Sequence, residues 1–187
     1  MKTTRLLFAL VLGWAAASIP GHLDAQDQLA QETTTAAESF ELSLWPGVQL
    51  RGADSAIQIL RLGLFNKNVS VQGLDVGLVN QNTGGVSKGV QLGIVSVVYG
   101  DFGGAHFGAV SIVEGEFNGF QNGVLYNKMR SGETFQLGLF NRAGDIDGLQ
   151  IGLVNWAENM RGIQVGLVNI ISGKESFQFM PIVNWSF

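Results

Sequence analysis

The sequence predicts an all-β repeat fold, and three observations carry that prediction. A short unit recurs every 14 to 16 residues across the C-terminal three quarters of the chain. Inside each unit apolar residues alternate with small or polar ones, the period-two signature of a strand. Mixtures of glycine, asparagine and aspartate separate the units, as turns that use positive φ require. Composition agrees: the 187 residues include 26 glycines, three prolines and no cysteine, with 46% hydrophobic and 14% charged residues. The absence of cysteine excludes disulfide scaffolds, zinc ribbons and thiol catalysis. A net charge of −4 argues against a nucleic-acid partner, which needs a basic face.

Residues 1–25 read as a secretory signal peptide. Lys2 and Arg5 precede an apolar stretch from Leu6 to Ile19, and small residues cluster at Ala15 to Ser18. The apolar stretch is shorter than the roughly 20 residues a spanning helix needs. Cleavage is expected after Ala25, and the remaining chain then carries a net charge of −5. Residues 26–39 are polar without apolar period, and they read as a disordered spacer. The β-repeat domain is expected over residues 40–187, with no room for a second fold.

The clearest units are Gly148-Leu-Gln-Ile-Gly-Leu-Val-Asn155 and Gly162-Ile-Gln-Val-Gly-Leu-Val-Asn169. Their central glycines belong to the series Gly63, Gly77, Gly93, Gly108, Gly123, Gly138, Gly152 and Gly166. A degenerate unit at 47–54 opens the series, with Gln49 in the glutamine slot and Arg51 in the glycine slot; another, at 176–184, closes it. One strand per unit predicts an up-and-down antiparallel β-barrel of about ten strands. The unit is nearly symmetric about the residue before its central glycine, so antiparallel neighbours would meet like with like and form a level apolar belt. The alternative is a short-coil β-solenoid, in which identical residues such as Asn66, Asn80, Asn141, Asn155 and Asn169 stack. Three outward apolar positions per strand make a belt thinner than the ~25 Å of an outer-membrane barrel.

The units Gly-Leu-Gln-Ile-Gly-Leu-Val-Asn and the ending Met180-Pro-Ile-Val-Asn-Trp-Ser-Phe187 resemble the surface-repeat proteins of bacteria. In that family GhQhGhhN units (h for apolar) recur, and a Pro-Ile-x-Asn-x-x-Phe close is common. The resemblance spans roughly residues 47–187. It implies export and a place at the cell surface or in the envelope, and it brings no activity and no catalytic residues. The alternation of Phe179, Val183, Trp185 and Phe187 also resembles the C-terminal insertion signal of outer-membrane barrels. The partners so implied are outer-membrane lipid and the barrel insertion machinery.

One slot of the unit is the candidate site. It holds Gln49, Arg61, Asp75, Gln91, His106, Gln121, Gln136, Gln150, Gln164 and Gln178. With the apolar residues facing outward this row faces inward, as a ligand-binding or lumen ring or as a hydrogen-bonded ladder filling the interior. Arg61 and Asp75 would be neighbours and pair. The residue two after each central glycine, such as Val154 or Val168, is expected inside as well, filling the interior.

Other matches carry little chemistry. Gly85-Val-Ser-Lys-Gly89 spells a nucleophile elbow, but a β-repeat follows it where a helix is required. Asp101, Glu114, Glu116, Asp145 and Asp147 read as solvated turn acids, without a calcium-loop pattern. The expected function is therefore a non-enzymatic outer-membrane or envelope β-repeat protein with a structural, surface-contact or small-solute role, needing neither cofactor nor metal. The second reading is a secreted or periplasmic soluble domain that binds a protein or carbohydrate along one sheet face. That reading predicts buried Leu/Ile rows and an exposed glutamine row.

Overall fold

The computed structural model describes residues 38–45, 48–50, 54 and 56–187. The expected signal peptide and nearly all of the expected spacer lie outside them, as does Arg51. Ten strands run in chain order: β1 (Glu38–Trp45), β2 (Val48–Gln49), β3 (Ala56–Asn68), β4 (Ser70–Asn82), β5 (Val86–Leu92), β6 (Val95–Val98), β7 (Asp101–Leu137), β8 (Phe140–Ile151), β9 (Val154–Ile171) and β10 (Phe179–Ser186). No helix occurs among the described residues. β1 starts at Glu38, inside the segment expected to be spacer.

The architecture is a β-solenoid of about eight coils. The all-β class is as expected; the antiparallel barrel is not what forms. β3 lies parallel to β4 with Arg61 on Asp75, Gly63 on Gly77 and Asn66 on Asn80. The same in-register parallel pairing joins β4 to β5 and β6, β5 and β6 to β7, β7 to β8, and β8 to β9. In the C-terminal coils parallel stacking puts each row amide on its own kind, Gln136 on Gln150 on Gln164 and Asn127 on Asn141 on Asn155, so that it donates to one neighbour and accepts from the other. The near-symmetry of the unit does not distinguish the two directions of pairing; the identity of the stacked residues does.

The glycine that opens the unit is needed for its backbone conformation and for close stacking on the coil before. Gly162 has φ 143°, and a Cβ there would overlap the carbonyl oxygen of Gly148 in the coil before. The central glycines serve packing instead. A Cβ on Gly152 would strike the Gly138 carbonyl and crowd the side chains of Asn141 and Asn155. Bare backbone at that position lets each coil stack closely on the one before and leaves room for the asparagine ladder.

The corner after the central glycine changes the inside–outside alternation. Leu64 and Phe65 both face outward there, so the next inward residue is Asn66. The same holds for Leu153 and Val154 before Asn155, and for Leu167 and Val168 before Asn169. Val154 and Val168 are thus half-exposed corner residues, not the interior filling expected of them. Period two predicts the wrong face wherever a turn takes two consecutive outward residues.

The chain ends in a reversal. β10 pairs antiparallel with β9, with Asn184 opposite Gln164 and Trp185 opposite Ile163. It covers the last coil and ends the sheet order, so it does not close a ring. Phe179, Trp185 and Phe187 stand exposed on it and Val183 is half-buried. The barrel-closing role expected of this strand has no counterpart here.

Candidate functional site

The glutamine slot is internal. Arg61, Asp75, Gln91, His106, Gln121, Gln136, Gln150 and Gln164 form one row down the solenoid, and all are buried. Two expected members are elsewhere. Gln178 is exposed and donates to the carbonyls of Ser172 and Lys174. Gln49 belongs to β2, and its side chain is outside the described set. The slot before Arg61 is filled instead by Glu41, fully buried and in register with it on β1. Its signal was present in Phe40-Glu-Leu-Ser43, which repeats the apolar, polar, apolar, small order of the unit. The gap of 20 residues to Arg61 hides it from a search for a 14- to 16-residue period.

The C-terminal half of the row is a uniform ladder. Gln164 donates to Gln150, Gln150 to Gln136 and Gln136 to Gln121, each at 2.7 Å. Gln121 passes the chain to the Ser111 hydroxyl at 2.9 Å, and that hydroxyl contacts His106 Nδ1 at 2.6 Å. A second ladder runs beside it in the opposite sense: Asn127 donates to Asn141, Asn141 to Asn155 and Asn155 to Asn169, at 2.7–2.8 Å. The two sets of amide dipoles oppose one another, which limits the field that stacking identical amides would build up.

The N-terminal half is charged. Arg61 Nε donates to Asp75 Oδ1 at 2.8 Å, and its Nη2 pairs with Oδ2 of the same carboxylate. Asn68 and Asn82 accept from the guanidinium at 3.2 and 2.7 Å, and Gln91 donates to Asp75 from the other side. The contact is bidentate, with the remaining donors satisfied, as a buried ion pair requires.

Between the halves sits His106, stacked on Phe102 with ring centroids 5.1 Å apart; Phe102 in turn stacks on Phe117 at 5.5 Å. Burial pushes the imidazole down to about 3, so it is neutral at physiological pH. Its Nε2 and the Oε1 of Gln91 make no hydrogen bond, and there the row is interrupted. The apolar filling of this end of the coil follows the same repeat, as Val98, Val113, Met129, Ala143, Ala157 and Ile171 in one row, with Phe102, Phe117, Ile146 and Met160 beside it.

The outside is apolar. Leu74, Leu78, Ile94, Leu139, Leu153 and Leu167 are among many large apolar residues exposed on the wall that carries the glutamine row. At its N-terminal end a shallow open groove of about 730 Å³ is lined by Leu42, Leu44, Leu50, Leu62 and Leu64. Ser87 of the Gly-x-Ser-x-Gly match is buried, its hydroxyl bonded by the Val71 amide at 3.2 Å and by Asn82 at 3.1 Å. The acids expected in turns lie in β7 and β8 and contact the neighbouring coil: Glu114 pairs with Lys128 at 2.7 Å, and Asp101 accepts from the Glu116 amide at 2.8 Å.

No protein-family profile matches the chain, and neither a curated protein nor a solved structure matches it.

Proposed function

We propose that this chain is an exported, non-catalytic β-repeat protein of the bacterial cell envelope that acts by surface contact. The observation that carries the reading is inverted polarity. The amides and charges are inside, while leucine, isoleucine and valine cover one outer wall. Soluble monomers rarely expose a continuous apolar patch of more than about 300–600 Å², and larger ones mark interaction surfaces. The interior supports a structural role for the glutamine row, because Gln121, Gln136, Gln150 and Gln164 are buried and bond one another in series. A small-solute role draws no support from that packing. An open solenoid also cannot satisfy its sheet edges within hydrocarbon, which favours lying against a surface over spanning it.

The second reading, a soluble exported domain binding a partner along a sheet face, uses the same wall, with the leucine rows rather than the glutamines as the contact. Fractionation of the full chain expressed in a Gram-negative host tests the proposal. Export with removal of residues 1–25 and recovery with envelope membranes, released by alkaline washing, is the expected result. Retention in the cytoplasm without processing refutes it. Quantitative recovery in the periplasmic or culture fluid supports the soluble reading instead.

A further inference from the structure

We infer that the apolar wall is a self-association surface, on which a second copy of the chain packs face to face and antiparallel. The inference rests on the surface-contact reading and names its partner. Two observations carry it, area and charge.

The wall comprises the outward residues flanking the glutamine slot and the corner residue three after it. Numbering the coils from Arg61 in the first to Gln164 in the eighth, the wall is nearly unbroken in apolar character from end to end. About eight coils spaced ~4.8 Å apart give a length of ~38 Å, and five residues of strand give a width of ~16 Å. The patch is therefore on the order of 600 Å², and two copies would bury about 1,200 Å², the lower bound of a stable specific interface. An outer-membrane belt, in contrast, needs a height of ~25 Å.

The charges on the rim select the arrangement. Three residues before each glutamine slot, an exposed side chain borders the wall: Lys88 in the third coil, Glu133 in the sixth, Asp147 in the seventh and Arg161 in the eighth. The two-fold axis of an antiparallel face-to-face pair runs along the strands, between the fourth and fifth coils. It brings the third coil of one copy against the sixth of the other. Lys88 then faces Glu133 twice, once in each copy. Asp147 and Arg161 face the uncharged Gln72 and Gln58, and no like charges oppose one another on this rim. Sheets packed this way interdigitate their leucine rows, as two layers of a sandwich do.

Sedimentation of the purified full chain over a wide concentration range, with and without phosphatidylethanolamine–phosphatidylglycerol vesicles, tests the inference. A reversible dimer is expected. Leu78→Lys with Leu153→Lys should render it monomeric with an unchanged circular-dichroism spectrum. Lys88→Glu should weaken it roughly tenfold by losing two rim pairs, and adding Glu133→Lys should restore it. These exposed rim changes remain informative even if the leucine changes impair folding. A monomer at every concentration that binds the vesicles overturns the inference and leaves the surface-contact reading standing. A monomer that ignores vesicles, and whose leucine variants stay with the envelope, overturns both. A dimer indifferent to both sets of changes overturns the inference alone.

Discussion

The two halves of the buried row satisfy the same slot by different chemistry. From Gln121 to Gln164 four identical amides bond in series, neutral and interchangeable. From Glu41 to His106 no two neighbours are alike, and Asp75 is bonded by Arg61 on one side and Gln91 on the other. The difference bears on specificity. A ladder of identical glutamines is equally well bonded if the stack slips by a whole coil, so it stabilises without fixing which coil lies on which. Arg61 on Asp75 has no such freedom, because a slip by one coil would bury a charge opposite an amide. The regular half supplies repetition and the irregular half supplies register.

Breaking the charged half should have the largest effect. Asp75→Asn leaves the Arg61 guanidinium buried with its bidentate partner removed. The expected loss is about 3–5 kcal/mol, read from the denaturant midpoint. Converting the whole end to the chemistry of the other, with Glu41→Gln, Arg61→Gln and Asp75→Gln together, should cost less than Asp75→Asn alone. A triple variant less stable than the single would show that the slot cannot host a ladder at this end.

That contrast also explains what could be read from sequence. The C-terminal coils announce themselves, because Gln136, Gln150 and Gln164 recur in matching surroundings, and their inward orientation follows from alternation alone. Arg61 and Asp75 share the slot in register, so their pairing is legible too. The direction of stacking is not, because a unit nearly symmetric about the residue before its central glycine reads the same in parallel and antiparallel pairing. Corner residues such as Val154 and Val168 also escape, since two outward positions in a row reverse the alternation. Glu41 escapes because a long connection separates it from Arg61, and the Phe102–His106 stack because two aromatic rings meet across a coil corner without any repeat.

The regular half is broken by Gln150→Leu, which keeps the volume and removes the amide. The Gln136 carbonyl oxygen loses its donor and one Gln164 N–H loses its acceptor, while the other still reaches the Ile170 carbonyl at 3.0 Å. Two buried orphans predict a loss of about 2–4 kcal/mol. A leucine tolerated within about 0.5 kcal/mol would mean that the ladder fills space without contributing bonds.

The junction between the halves should report pH. Unfolded His106 takes up a proton near the ordinary histidine value of 6.5, whereas the folded imidazole stays neutral until about 3. In that window the unfolded state binds more protons, so the folded state loses stability as pH falls, by at most ~1.4 kcal/mol per pH unit. His106→Gln should flatten this slope relative to the parent chain in midpoints measured from neutral pH to pH 4. Equal slopes would place the acid sensitivity on other groups.

The smallest effect asked for is the most direct test of where the row ends. Gln164 and Gln178 each follow an apolar residue near the end of the chain, and period alone assigns them the same place. In the folded chain Gln164 is buried against Gln150, whereas Gln178 is exposed and its side chain donates to the carbonyls of Ser172 and Lys174. The coil is capped by Asn184 of β10, opposite Gln164, so the row finishes without Gln178. Removing a buried amide strands its partner, while removing an exposed one returns its acceptors to water. Gln178→Ala should therefore shift stability by no more than about 0.5 kcal/mol, against about 1–3 kcal/mol for Gln164→Ala. Equal losses at the two positions would mean that Gln178 stacks on the row as a further rung and that β10 does not terminate it.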